Sequence, residues 1–341
     1  WKGLVGSEMC IRDRFCGRCE KEKISFNMNF CVFGAGAWGT AMSVYLSKQG
    51  HVVTLVPRRM EHALKLSSDR ENMDYLPGIP LGLDLQIGCS LRPAVMECDY
   101  LLLACPSHSL KVICKSIVAH KADFGRLKGA IALCKGLEPY STKFAHEVIQ
   151  DELGMDISSG YLTGPTNARE IAEGKPAAMV LAINLKEDLL IALQDSVSSQ
   201  TLRVYRSNDR VGVGVGSCLK NIYAIATGLS DGLGLGDNAR AALLTRSMNE
   251  MIGLGRNLGG RSETMIGLSG FGDLVCTCMS EWSRNRNFGF VLAKGEDPEK
   301  AANSSKAVVE GYWATACFYN KCKDLALSLI HISEPTRPFH I

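Results

Sequence analysis

Between Met28 and about Asn208, short apolar runs alternate with helix-length amphipathic stretches. The runs Phe30 to Phe33, Val52 to Val56, Tyr100 to Ala104, Ala130 to Leu133, Tyr161 to Thr163 and Ala178 to Ile183 are nearly continuous in apolar residues. That pattern predicts strands buried on both faces, as in a parallel sheet covered by helices. Helices are expected to follow Trp38, Ser107, Ser141 and Lys186, each beside a polar or glycine boundary. Strand and helix in alternation predict a doubly wound α/β sheet with a ligand crevice at the carboxyl ends of its strands. The late runs Ala178 to Ile183 and Leu202 to Tyr205 extend that sheet in an orientation the pattern leaves open.

After Asp209 the pattern turns helical, with Lys220 to Thr227, Asn238 to Leu258 and Trp282 to Lys294 as the clearest segments. Glycines crowd between Gly212 and Gly236 and between Gly253 and Gly272, which predicts close helix approach and tight turns beside a ligand. The expected division is a nucleotide-binding domain over 28–208 and an all-helical substrate domain over 209–326.

Both ends read as foreign. The peptides Leu4 to Arg14 and Leu327 to Pro338 are encodable on complementary strands of one short DNA, and they resemble translated transposon-adapter sequence. They are therefore set apart from the fold. Met28 is the expected start, 1–27 is foreign and leader sequence, and 327–341 is a foreign tail that interrupts the helical domain.

The run Phe30-Cys31-Val32-Phe33 feeds Gly34-Ala-Gly36-Ala-Trp-Gly39, a G-x-G-x-x-G turn that opens a helix from Trp38 to Gln49 and leads to the strand after His51. In that β-α-β context the turn is a dinucleotide site, and the fold is Rossmann-like. Gly34 permits the turn, Gly36 lets backbone approach a pyrophosphate, and Gly39 lets helix and strand pack closely. The second strand ends in Arg58-Arg59 rather than in the carboxylate that accepts from a ribose 2′-hydroxyl. Two guanidinium forks suit a 2′-phosphate, so NADP(H) is expected ahead of NAD(H).

Composition adds limits. At 341 residues, 46% apolar and 21% charged, the chain has the make-up of a globular protein with room for two domains. The formal charge of +3 falls to +1 without the foreign ends, which argues against nucleic-acid and membrane-surface partners. Of 14 cysteines, Cys10, Cys16 and Cys19 lie in the N-terminal stretch and the rest are scattered singly. Scattered thiols fit a reducing compartment, and with no apolar run near ~18 residues the expected location is cytoplasmic. Cys16-Gly-Arg-Cys19 lacks a second ligand pair and Cys276-Thr-Cys278 reads as packing, so no metal site is expected.

Three clusters carry candidate chemistry: Cys134-Lys135-Gly136 and Gly164-Pro-Thr166-Asn-Ala168, each just after a strand, and Lys220-Asn221 with Gly270 to Thr277 and Ser283-Arg284-Asn285. His108 sits in a turn expected to lie near the cofactor or to cap a helix. These segments, with Asp231 to Asn238 and Val308-Val309-Glu310-Gly311, resemble the bacterial-type NAD(P)-dependent glycerol-3-phosphate dehydrogenases over roughly Asn29 to Ala316. The resemblance implies reduction of dihydroxyacetone phosphate to sn-glycerol 3-phosphate, a phospholipid precursor, by a homodimer. It implies that Lys220 is the acid/base residue, Lys135 a second cation near substrate and nicotinamide, and Asp273 the carboxylate that orients Lys220 or a substrate hydroxyl. A cationic donor stabilises the developing alkoxide, and burial beside a second lysine lowers an ammonium pKa.

By the same resemblance Arg284 and Asn285, after Ser283 at a helix start, bind phosphate, and Gly164 and Thr166 touch substrate. Ala37 and Trp38 cover the pyrophosphate, while Ala168, Val308, Glu310, Lys135 and Arg284 contact the cofactor. The family continues past the region of Leu325 with further helices, so the substrate domain is expected to be incomplete. Two rival readings remain at this point: another Rossmann-plus-helical reductase, acting on a small 2-oxo acid, and a catalytically silent nucleotide-binding module.

Overall fold

The computed structural model describes residues 27–119, 124–304 and 309–324. The expected leader up to Phe26, the foreign tail, the Cys16 and Cys19 pair, and Val308 lie outside the described residues.

The strands are β1 (Asn29–Phe33), β2 (Val52–Val56), β3 (Glu71–Asn72), β4 (Leu76–Pro80), β5 (Gln86–Ile87), β6 (Tyr100–Leu103), β7 (Gly129–Ala132), β8 (Ser158–Thr163), β9 (Ala177–Ile183) and β10 (Leu202–Arg206). Eight of them form one sheet in the order β10-β9-β8-β7-β6-β1-β2-β5. Every pair is parallel except β8 with β9. The sheet is Rossmann-like, with its switch point between β1 and β6, where chain order reverses. Alternate residues of each strand enter different cores: Phe30 and Val32 join Leu46, Leu55 and Leu102 on one face, and Cys31 and Phe33 join Leu101, Leu103 and Ala132 on the other. Two buried faces explain why the strands read as continuous apolar runs.

Helices α1 (Ala37–Lys48), α2 (Met60–Asp69), α3 (Leu91–Glu97), α4 (Ser107–Val118), α5 (Ala145–Leu153), α6 (Ala168–Glu173) and α7 (Glu187–Val197) accompany the sheet. The helix expected after Ser141 begins at Ala145, because the Glu147 carboxylate accepts from the Phe144 N–H at 2.7 Å and sets the boundary there. The antiparallel turn of β9 follows from a short return through α6, which closes on Gly174 at φ +79°. Between β2 and β6 lies an insertion of α2, the β3–β4 hairpin, β5 and α3 that the hydrophobic pattern did not predict. Two-residue strands such as Glu71–Asn72 are too short to leave an alternation.

The remaining helices are α8 (Arg210–Gly232), α9 (Gly236–Asn257), α10 (Ser262–Ile266), α11 (Asp273–Met279), α12 (Arg284–Leu292), α13 (Pro298–Ser304) and α14 (Glu310–Asp324), with one π-helical turn at Leu268–Gly272. They are built around α8, whose Asp209 caps both its own start, through Gly212 N–H at 2.7 Å, and the Arg261 N–H at 2.8 Å. The glycine-rich face of α8 serves helix contact: a Cβ at Gly228 would strike the Arg286 carbonyl, and one at Gly289 would strike that of Ile225. The 11 described cysteines are all free thiols.

Candidate active site

The carboxyl ends of β1, β2, β6, β7 and β8 line one end of the sheet, the expected crevice, and side chains of α8, α11 and the start of α14 reach residues just past them, with α12 bonded to α8 and α14. Gly34 has φ +110°, and a Cβ there would lie 2.5 Å from the Ala104 carbonyl oxygen, so the turns after β1 and β6 touch. A Cβ at Gly39 would collide with Gly34, the close helix approach expected of the third glycine. Gly36 borders open space, with nothing within 4 Å of an added Cβ. Its successor Ala37 starts α1, whose first-turn N–H groups receive no side-chain cap. Trp38 packs on the core with a buried indole N–H that has no partner among the described residues. Room, several N–H donors and no carboxylate fit a dinucleotide pyrophosphate.

Arg58 and Arg59 are exposed beyond β2, ahead of α2. Burial and the Arg58 charge lower the His108 pKa, and its ring lies 6.0 Å from that of Trp313. The capping role entertained for the His108 turn is not found. Pro106 occupies the cap position of α4, and its side chain has no acceptor to offer.

On the other side of the crevice one buried carboxylate holds two ammonium groups. Asp273, 2% exposed, begins α11 directly after the π-helical turn. Its Oδ1 accepts from Lys220 Nζ at 3.0 Å and its Oδ2 from Lys135 Nζ at 2.7 Å. Lys220 projects from the middle of α8 and also donates to Thr277 Oγ1 at 2.7 Å. Lys135, just past β7, also donates to the Gly164 carbonyl at 2.9 Å. Burial pushes the Asp273 carboxyl up, but Lys135 and Lys220 together, by charge and hydrogen bond, hold it below its usual value. Burial lowers the Lys135 pKa; the Lys220 charge adds to this and the Asp273 carboxylate opposes it.

Gly164, at φ +153°, offers its carbonyl to Lys135 and to Thr166 Oγ1 at 3.2 Å, so the Thr166 hydroxyl is bonded within its own turn. Ala168 is the first residue of α6, behind an Asn167 cap. Ser283 Oγ accepts from the Arg286 N–H at 3.2 Å and starts α12. Arg284, exposed at that start, exerts its charge on Glu310. The Asn285 side chain is committed to protein: its Oδ1 accepts from the Gly311 N–H at 2.9 Å, and its Nδ2 donates to Asn221 Oδ1 at 2.9 Å. Asn221 Nδ2 in turn donates to the Lys135 carbonyl at 2.8 Å. For an anion, Asn285 offers its backbone N–H and the second hydrogen of its amide nitrogen. Glu310 accepts from the Lys135 N–H at 3.3 Å and from the Ser107 N–H, and burial pushes its carboxyl up against these bonds and Arg284.

The structure thus brings together Lys135, Gly164, Lys220, Asp273, Arg284, Asn285 and Glu310, and sets Gly34 to Gly39 at the carboxyl end of β1, with Arg58 and Arg59 beyond the neighbouring β2. The sequence assigns no role to Thr277 or Asn221. Thr277 stands one helical turn after Asp273, a spacing from which its place on the same face was readable. Asn221 bore no such signal. Among the described residues no group of three or more His, Cys, Asp or Glu could hold a metal ion, and no helix is long and apolar enough to cross a membrane.

Residues 29–189 match the family model described as NAD-dependent glycerol-3-phosphate dehydrogenase N-terminus, and residues 209–334 match its C-terminus. A glycerol-3-phosphate dehydrogenase [NAD(P)+] of Hydrogenovibrio crunogenus is 43% identical over 288 residues, 83% of each chain. One from Vibrio vulnificus is 40% identical over 84% of this chain and 82% of its own. The solved glycerol-3-phosphate dehydrogenase of Coxiella burnetii superposes with a TM-score of 0.84 at 34% identity, covering 90% of this chain and 94% of that one. By sequence and by fold, this chain belongs to the NAD-dependent glycerol-3-phosphate dehydrogenase family.

Proposed function

We propose that this chain reduces dihydroxyacetone phosphate to sn-glycerol 3-phosphate, reversibly, with NADPH as the preferred cofactor. One observation carries the reading. An ammonium has three donors, and among the described residues both Lys220 and Lys135 use two, each with one on the same buried carboxylate. The third donor of each remains for a substrate.

In this reading Lys220 Nζ gives a proton to the C2 carbonyl oxygen during reduction and takes it back in the reverse direction. The nicotinamide, when bound, supplies the hydride. Asp273 fixes the position of both ammonium groups, and Lys135 holds positive charge beside the same oxygen or the neighbouring phosphate. Arg284, with N–H groups at the start of α12, would hold the phosphate dianion. Gly34, Gly36, Ala37, Trp38 and Gly39 would hold the pyrophosphate, and Arg58 and Arg59 a 2′-phosphate. Ala168, Glu310 and Val308 belong to the cofactor side by resemblance. A homodimer, a cytoplasmic location and a domain division at Asp209 are parts of the same reading.

Purified protein is expected to oxidise NADPH when dihydroxyacetone phosphate is added and not when a 2-oxo acid such as ketopantoate is added. Turnover of the 2-oxo acid alone would support the rival reductase, and NADPH binding without turnover the silent module. A second expectation concerns cofactor choice. Arg58→Asp should cut kcat/KM for NADPH relative to NADH by about 1.5–3 kcal/mol, the size of a hydrogen bond to a charged group. A native enzyme that favours NADH in the same assay would refute the role given to Arg58.

A further inference from the structure

The β3–β4 hairpin lies outside the residues assigned above, yet one of its side chains reaches into the glycine turn. Asn72, 1% exposed, donates from Nδ2 to the Ala35 carbonyl at 3.0 Å and to Thr40 Oγ1 at 2.7 Å. Its Oδ1 faces His62 Nε2 at 3.4 Å. A carbonyl accepts only from the amide's donor end, so these bonds define which way the Asn72 amide points. The hairpin is itself braced. Arg70, at φ +50°, donates to the carbonyls of Leu81, Gly82 and Leu85, and Arg169 Nη2 donates to the Pro77 carbonyl at 2.7 Å.

Ala35 is the residue between the first two glycines of the turn. In a trans peptide the carbonyl of Ala35 and the N–H of Gly36 point in opposite directions. A bond that draws the carbonyl toward the hairpin therefore turns the Gly36 N–H away from it, and Gly36 borders open space. Thr40, the other partner of Asn72, is wholly buried and closes the first turn of α1 through its N–H to the Gly36 carbonyl at 3.0 Å. Both peptide groups of Gly36 are thus held, one directly by α1 and one through Asn72.

We propose that Asn72 is a positioning residue for cofactor binding: through the Ala35 carbonyl it sets the peptide plane that aims the Gly36 N–H at the dinucleotide pyrophosphate. The inference rests on the nucleotide-binding reading of this crevice.

The test is calorimetric titration of the whole chain with NADPH and, separately, with adenosine 2′-monophosphate, which has no pyrophosphate. Asn72→Ala and Asn72→Asp both remove the Nδ2 donor, and the second keeps the side-chain volume should the first fail to fold. Kd for NADPH is expected to rise about tenfold, the equivalent of one hydrogen bond. KM for NADPH should rise with it, while kcat and the KM for dihydroxyacetone phosphate stay level. Affinity for adenosine 2′-monophosphate should not change. Unchanged NADPH affinity in the variants, or equal weakening of both ligands, would overturn the role of Asn72. Native protein that binds neither ligand would overturn the nucleotide-binding reading and the inference with it.

Discussion

Lys220→Ala is expected to lower kcat by about 10³-fold or more while NADPH affinity stays within about twofold. Lys220 is 6% exposed on the middle of α8, and its ammonium lies between Asp273 Oδ1 and Thr277 Oγ1. None of its partners belongs to the glycine turn, so the substitution leaves the dinucleotide side intact. It removes the proton donor for the C2 oxygen and one of two cations that stabilise charge there. Lys135 keeps its own place, held by the Gly164 carbonyl and the other oxygen of Asp273. Steady-state kinetics beside fluorescence titration of NADPH separate the two effects. Near-native turnover in Lys220→Ala would remove the lysine from the proton transfer, and a parallel loss of NADPH affinity would mean that the substitution disturbs the fold.

Asp273→Ala should have the largest effect on stability of any single change at the site, about 3–5 kcal/mol, with loss of turnover. Two ammonium groups share this carboxylate, with side chains 8% exposed for Lys220 and 15% for Lys135. Removing the aspartate leaves both charges nearly buried and without their counter-charge. The cost of desolvation then falls on the pair with no compensation. Urea unfolding at neutral pH measures the difference directly.

The effect has a defined pH sign. Because the folded-state pKa of Asp273 is lowered, its stabilisation is complete above the ordinary carboxylate value of about 4 and is lost as pH falls through the lower folded value. The gap between native protein and Asp273→Ala should therefore be constant from neutral pH down to about 4 and close below it. A variant as stable as the native protein, or a gap that closes only toward alkaline pH, would show that the carboxylate does not hold the two lysines as a unit.

Much of this molecule was decided locally. The central strands of the main sheet, β1, β6, β7, β8 and β9, announce themselves because burial on both faces demands runs of apolar residues, and the turn from Gly34 to Gly39 does so because its backbone geometry excludes side chains. Lys135, Lys220 and Asp273 were legible as candidates through short motifs around each. That they meet on one carboxylate was not, since the two bonds join residues 53 and 138 positions apart and depend on how α8 packs against α11 and the sheet. The same holds for Asn285, whose amide is oriented by bonds to Asn221 and Gly311, residues 64 and 26 positions away. Sequence motifs also said nothing of Asn72, on a strand of two residues with no periodicity to reveal it. Periodicity and turn chemistry are properties of neighbours along the chain, so the sequence by itself determined the longer elements, the dinucleotide turn and the residue types available for catalysis. Which donors are used up inside the protein and which remain for a ligand was decided only when tertiary packing brought distant segments within hydrogen-bond reach.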